Sequence, residues 1–103
     1  MENGWYVHGN DGLGDSKLLT RENIKTCEET HASMRMVELV KENPNEMHFL
    51  CIGPLTNLAL AIRLEPNLPN LINSITIMGG SEGAKGNTTR TAEFNFWADP
   101  ESA

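Results

Sequence analysis

Three side chains in the last fifth of the chain have the types and spacing for chemistry on a polar small molecule. Asn87 follows Gly86, and Glu93 and Asn95 flank Phe94, so two amides and one carboxylate fall within nine residues. Amides both donate and accept, and an ionised carboxylate accepts only, which is the set that hydrogen-bonds hydroxyl groups. A polyol such as a sugar is the guest this pattern suits. Glu93 stands between Ala92 and Phe94, with Phe96 and Trp97 close behind. That apolar setting predicts a partly buried, hydrogen-bonded carboxylate rather than a solvated one. Phe94, Phe96 and Trp97 are expected in the core, not as a base-stacking platform.

Two strands and a helix must position these groups. Ser74-Ile75-Thr76-Ile77-Met78 has the β-branched content of a buried strand, and Gly79-Gly80 stops it. Residues 47–52 form a second, mostly apolar strand stopped by Gly53-Pro54. Between them, residues 55–64 spell a helix that is apolar nearly all round and should lie buried against a sheet. Thr56 or Asn57 can cap it, and Glu65-Pro66 closes it. Residues 66–73 read as a turn with one irregular helical turn. A strand, a helix and a strand predict a parallel pair whose carboxyl ends meet at one edge, where α/β proteins bind ligands. The fold class is α/β, with a parallel-sheet, Rossmann-like βαβ core.

Upstream, residues 27–42 predict a helix with Ala32, Met36, Val37 and Val40 on one face, a Thr26/Glu29 capping box, and Pro44 beyond its end. His31 falls in its first turns as a surface residue. Residues 8–15 are dense in glycine, asparagine and aspartate and form a polar loop. Their GxxGxG spacing lacks the strand before and helix after that a dinucleotide site requires. They also lack the alternating acids of a calcium-binding helix-loop-helix. Lys85, in the glycine-rich loop after Gly80, has neither the preceding glycine nor the following hydroxyl of a phosphate-binding loop. Asp99-Pro100-Glu101 reads as a helix being started.

Composition excludes several classes. At 103 residues the chain is at most one domain, and its net charge of −6 with scattered basic residues argues against a nucleic-acid partner. No apolar window approaches the roughly 18 residues of a membrane span. Nothing at the first residues resembles a signal peptide, so the Asn87-Thr88-Thr89 sequon reads as a turn. Cys27 and Cys51 are too few for a disulfide framework and fit reduced thiols in a cytoplasmic protein.

In order along the chain stand His8-Gly9-Asn10-Asp11-Gly12-Leu13-Gly14, Gly53-Pro54-Leu55-Thr56-Asn57-Leu58-Ala59-Leu60-Ala61, Ile77-Met78-Gly79-Gly80, Gly86-Asn87, Ala92-Glu93-Phe94-Asn95 and Asp99-Pro100-Glu101. Together they resemble the inosine-uridine preferring nucleoside hydrolase family. The resemblance implies hydrolysis of the N-glycosidic bond of ribonucleosides to ribose and free base. It also implies a calcium ion at the strand ends that holds ribose hydroxyls and the attacking water. Carried over by position, Met78, Asn87, Glu93 and Asn95 are the substrate-binding residues. Ile52 is the position whose backbone carbonyl joins the calcium shell, and His8 is the catalytic candidate on a mobile loop. The implied partner is a small-molecule ribonucleoside, with no nucleic acid and no membrane, and a homo-oligomer of the full-length protein is compatible with it.

This chain departs from the family at both ends. The family's aspartate cluster has no counterpart before Glu2, and its later aspartate and adjacent histidine would lie beyond Ala103. Residues 1–103 thus read as a central fragment of the nucleoside hydrolase domain, inactive when isolated. The alternative is a non-catalytic truncated remnant or an α/β ligand-binding module.

Overall fold

Strands β1 (His48–Cys51) and β2 (Ser74–Ile77) pair in parallel, with His48 opposite Ser74 and Cys51 opposite Ile77. Beyond the strand ends the ladder gains one more bond, from Met78 N to the Cys51 carbonyl at 2.8 Å. The computed structural model describes residues 8–10, 12–16, 29–83 and 85–103. Within them the order is α1 (Ala32–Glu42), β1, α2 (Thr56–Leu64), α3 (Leu68–Leu71), β2 and α4 (Phe94–Ala98). The predicted βαβ unit and its parallel pairing are both present.

Helices α1, α2 and α3 pack on one another over one side of the sheet. Val40, Ala61, Leu68 and Ile72 form the buried centre, with Phe49 of β1 packed against it. Val40 and Leu68 are fully buried, and each such side chain stabilises the fold by roughly 1.5–3 kcal/mol. Lys41 of α1 pairs with Glu65 at the end of α2, and Asn45 N donates to the Leu71 carbonyl at 2.7 Å. The lysine holds the Glu65 carboxyl below its ordinary value.

The structure corrects several expectations. Helix α1 begins at Ala32, not at residue 27, and residues 29–31 are not helical. His31 is the cap: its Nδ1 accepts from Ser33 N at 3.3 Å and bonds the Ser33 hydroxyl at 2.8 Å. An imidazole nitrogen satisfies one of the orphan donors of the first turn as a serine would. Thr26 and Cys27 lie outside the described residues, so the capping-box reading does too.

Helix α2 is not buried all round. Leu58 and Ala61 are buried, whereas Leu60 and Leu64 face outward. Strand β2 was expected to be buried and is exposed along its length. β-branched composition reports strand preference, and coverage is a separate matter. Side chains alternate, so Phe49 and Ile75 share the helix side while Leu50 and Met78 face the uncovered side.

Helix α4 was not foreseen. Its cap is Glu93, a residue type outside the preferred N-cap set, so the usual start signal is missing. Asp99 closes α4, and residues 100–102 form a turn, with Ser102 N on the Asp99 carbonyl at 3.2 Å. The expected helix start at Asp99 is absent among these residues. The predicted loop is present at the described residues 8–10 and 12–15, and Gly14 N closes it onto the His8 carbonyl at 2.6 Å. No helix among the described residues is long and apolar enough to cross a membrane.

Candidate active site

The site forms where the chain leaves the two parallel strands. Ile52 follows β1 and Met78 follows β2, and Asn95 closes the gap between them. Its Nδ2 donates to the Met78 carbonyl at 2.9 Å and, at 3.4 Å, to the Ile52 carbonyl. Two carbonyl acceptors require the NH2 end of the amide there. Asn95 is buried, with 8% of its surface exposed, although it belongs to a type that is mostly solvated. Its carbonyl oxygen takes no hydrogen-bond partner among the described residues.

Glu93 is held by the backbone. Its Oε1 accepts from Asn95 N at 2.8 Å, and its Oε2 accepts from Gly80 N at 2.9 Å and Phe96 N at 3.2 Å. Burial pushes the carboxyl up, but the donors from Asn95, Gly80 and Phe96 outweigh it and hold the group below its ordinary value. Glu93 therefore stays ionised at neutral pH, half-buried as its apolar neighbours predict. Gly79 makes this approach possible: a Cβ there would stand 2.6 Å from the Phe96 ring and 3.1 Å from Glu93 Oε2.

Asn87 arrives on a tight turn. The amides of Asn87, Thr88 and Thr89 all point at the Ala92 carbonyl, at 3.1 to 3.4 Å. A Cβ on Gly86 would overlap the backbone of Thr89 and Ala92, so only glycine fits. Asn87 Oδ1 accepts from Phe94 N at 2.8 Å, tying this turn to the first residue of α4.

His8, Ile52, Met78, Asn87, Glu93, Phe94 and Asn95 line one cavity of about 160 Å³. All six residues singled out from the sequence are on that wall. The seventh, Phe94, was expected in the core. Instead its ring meets the His8 ring edge-on, with centroids 6.0 Å apart. The signal for it was its place between two polar site residues. A hollow of about 370 Å³ lies on the other side of Glu93, against Trp97 and Pro100, and contains none of the other predicted positions. The smaller cavity is below the roughly 300–1,000 Å³ of a complete small-molecule site, and so has the size of part of one.

The donor set does not amount to a calcium cage. Calcium takes six to eight oxygens, and here the Ile52 carbonyl is one, already touched by an amide. Both Glu93 oxygens face N–H donors. Among the described residues no three His, Cys, Asp or Glu side chains could together hold a metal ion.

A "Probable uridine nucleosidase 1" from Oryza sativa subsp. japonica is 41% identical over 98 residues, covering 95% of this chain and 30% of the relative. Among solved structures, the plant nucleoside hydrolase PpNRh1 superposes with a TM-score of 0.86 at 34% identity, over 98% of this chain and 31% of that one. A purine-preferring ribonucleoside hydrolase from Gardnerella vaginalis gives 0.82 at 29% identity, over 96% and 31%. The chain thus spans about a third of the length of the relatives it matches. The profile of the inosine-uridine preferring nucleoside hydrolases fits residues 2–103, and with the shared overall fold it shows that this chain belongs to that family.

Proposed function

We propose that this chain is the ribose-holding central segment of a nucleoside N-ribohydrolase, one that cleaves ribonucleosides to ribose and free base. The observation that carries the reading is the convergence of Asn87, Glu93 and Asn95 with the Ile52 and Met78 strand ends around one small cavity. Glycoside hydrolysis passes through an oxocarbenium-like state, and a fixed carboxylate nearby stabilises its positive charge. Glu93 supplies such a charge, pre-oriented by three backbone amides. Its Oε1 has one N–H partner and keeps a lone pair for a hydroxyl. The Asn95 carbonyl oxygen accepts from a second hydroxyl. Met78 walls the sugar, and His8 and Phe94 stand together at the cavity.

Calcium is part of the reading for the full-length protein, to which the described residues would contribute the Ile52 carbonyl. Isolated residues 1–103 are proposed to be inactive, in keeping with the lack of a metal-holding group among the described residues. A cytoplasmic setting fits the free Cys51 thiol. Relatives named for uridine and for purines both match, so inosine and uridine are the assay substrates. In the full-length hydrolase, Glu93→Ala should lower kcat/KM for either substrate by at least about a hundredfold, the scale of losing one charge-stabilising group. Unchanged turnover would remove the role given to Glu93.

A further inference from the structure

Helix α4 is five residues long and buries only Asn95 and Ala98. A helix of that length does not hold by itself, so what fixes α4 also fixes the site residues on it. It is tied at one end to the exit of β1 and at the other to the first residue of α2. At its start, Asn95 Nδ2 reaches the Ile52 carbonyl. At its end, Asp99 Oδ2 accepts from the Thr56 hydroxyl and, at 2.8 Å, from the Ser102 hydroxyl. Thr56 lies four residues after Ile52, and Asp99 lies four after Asn95. The two bonds therefore close a ring: strand end, turn, Thr56, Asp99, one turn of helix, Asn95 and back to Ile52.

We propose that Asp99 and Thr56 form a latch that positions the sugar site, holding α4 so that Asn95 stays on the Ile52 carbonyl. This rests on the reading of Asn95 given above. Asp99 is a positioning residue in this account, acting through Asn95 and touching no substrate. Its carboxylate is fixed from two sides, by Thr56 on α2 and by Ser102 on the following turn, so its rotamer is defined. Those hydroxyl donors also hold the Asp99 carboxyl below its ordinary value, which keeps the acceptor ionised at neutral pH. A purely local role is the competing account. The residue ahead of α2, Leu55, offers no side-chain cap, and an acid beside Thr56 suits the positive end of that helix.

The test separates the two in the full-length hydrolase. Asp99→Ala and Thr56→Val, the second nearly isosteric, should each lower kcat/KM for inosine and uridine about tenfold, the size of coupling between contacting residues. Thr56→Ser should recover most of what Thr56→Val loses. On an Asn95→Ala background, Asp99→Ala should have no further effect, because the residue it acts through is gone. Equal losses on both backgrounds would overturn the latch and leave the local role. Amide exchange, measured without substrate, gives a second reading. Residues 93–98 should exchange faster in Asp99→Ala and Thr56→Val than in the parent protein, and unchanged protection would also overturn the proposal. Should the parent protein itself fail to hydrolyse nucleosides, the ribohydrolase reading falls, while the exchange result still decides the latch.

Discussion

At the scale of single residues, the site depends on how one carboxylate is satisfied. Glu93 spends its charge on three backbone N–H groups, from Asn95, Gly80 and Phe96, and so fastens α4 to the loop after β2. Its folded pKa lies below the unfolded value, so the unfolded chain binds more protons in acid. The stabilisation is complete above the ordinary glutamate pKa of about 4.3 and is lost as pH falls through the folded value. Glu93→Gln puts an NH2 against an N–H and removes the titration. Denaturant midpoints of the protein should therefore fall at neutral pH, and the loss of stability as pH falls below about 5 should become shallower than in the parent. An equally steep acid limb would show that Glu93 does not contribute to it. Glu93 and Asn95 stand out in the sequence because their types and spacing suit hydroxyl recognition, and both line the cavity at the strand ends. Their backbone partners do not stand out, since Gly80 N carries no side-chain signature.

At the scale of elements, local patterns and coverage part company. The short apolar strands, the glycine stops and the helix between them showed the βαβ unit directly, because hydrophobic period and turn residues are local properties. Helix α4 was missed for want of an ordinary cap, and the start of α1 was misplaced because a histidine does the capping. The exposure of β2 was not readable at all, since it depends on what lies beside the strand. The site geometry turns on a close approach at the end of β2. Gly79→Ala would press on the Phe96 ring and on Glu93 Oε2. It should cost about 1–3 kcal/mol, as overpacking does, seen as a lowered denaturant midpoint with an unchanged slope. An alanine variant as stable as the parent would mean that α4 shifts freely, and the close packing invoked for Glu93 would fail.

At the scale of the molecule, one side of the sheet and both strand edges have no cover among the described residues. On that side Leu50 is 68% exposed and Met78 about half exposed. Exposed apolar strands with unpaired edges are templates for association. The isolated chain of residues 1–103 should elute from size exclusion as a concentration-dependent mixture. Leu50→Lys with Thr76→Lys, its exposed neighbour across the ladder on the same face, should shift it towards the monomer. A monomer at every concentration without those changes would contradict this view of the sheet.

The central claim is that loops leaving two adjacent parallel strands converge to grip a pentose. A crystal structure of the protein soaked with ribose tests it most directly. The account predicts sugar hydroxyls within hydrogen-bond distance of the Glu93 carboxylate and the Asn95 carbonyl oxygen, beside the Ile52 strand end. Ribose bound elsewhere, with Glu93 and Asn95 contacting only protein, would contradict it.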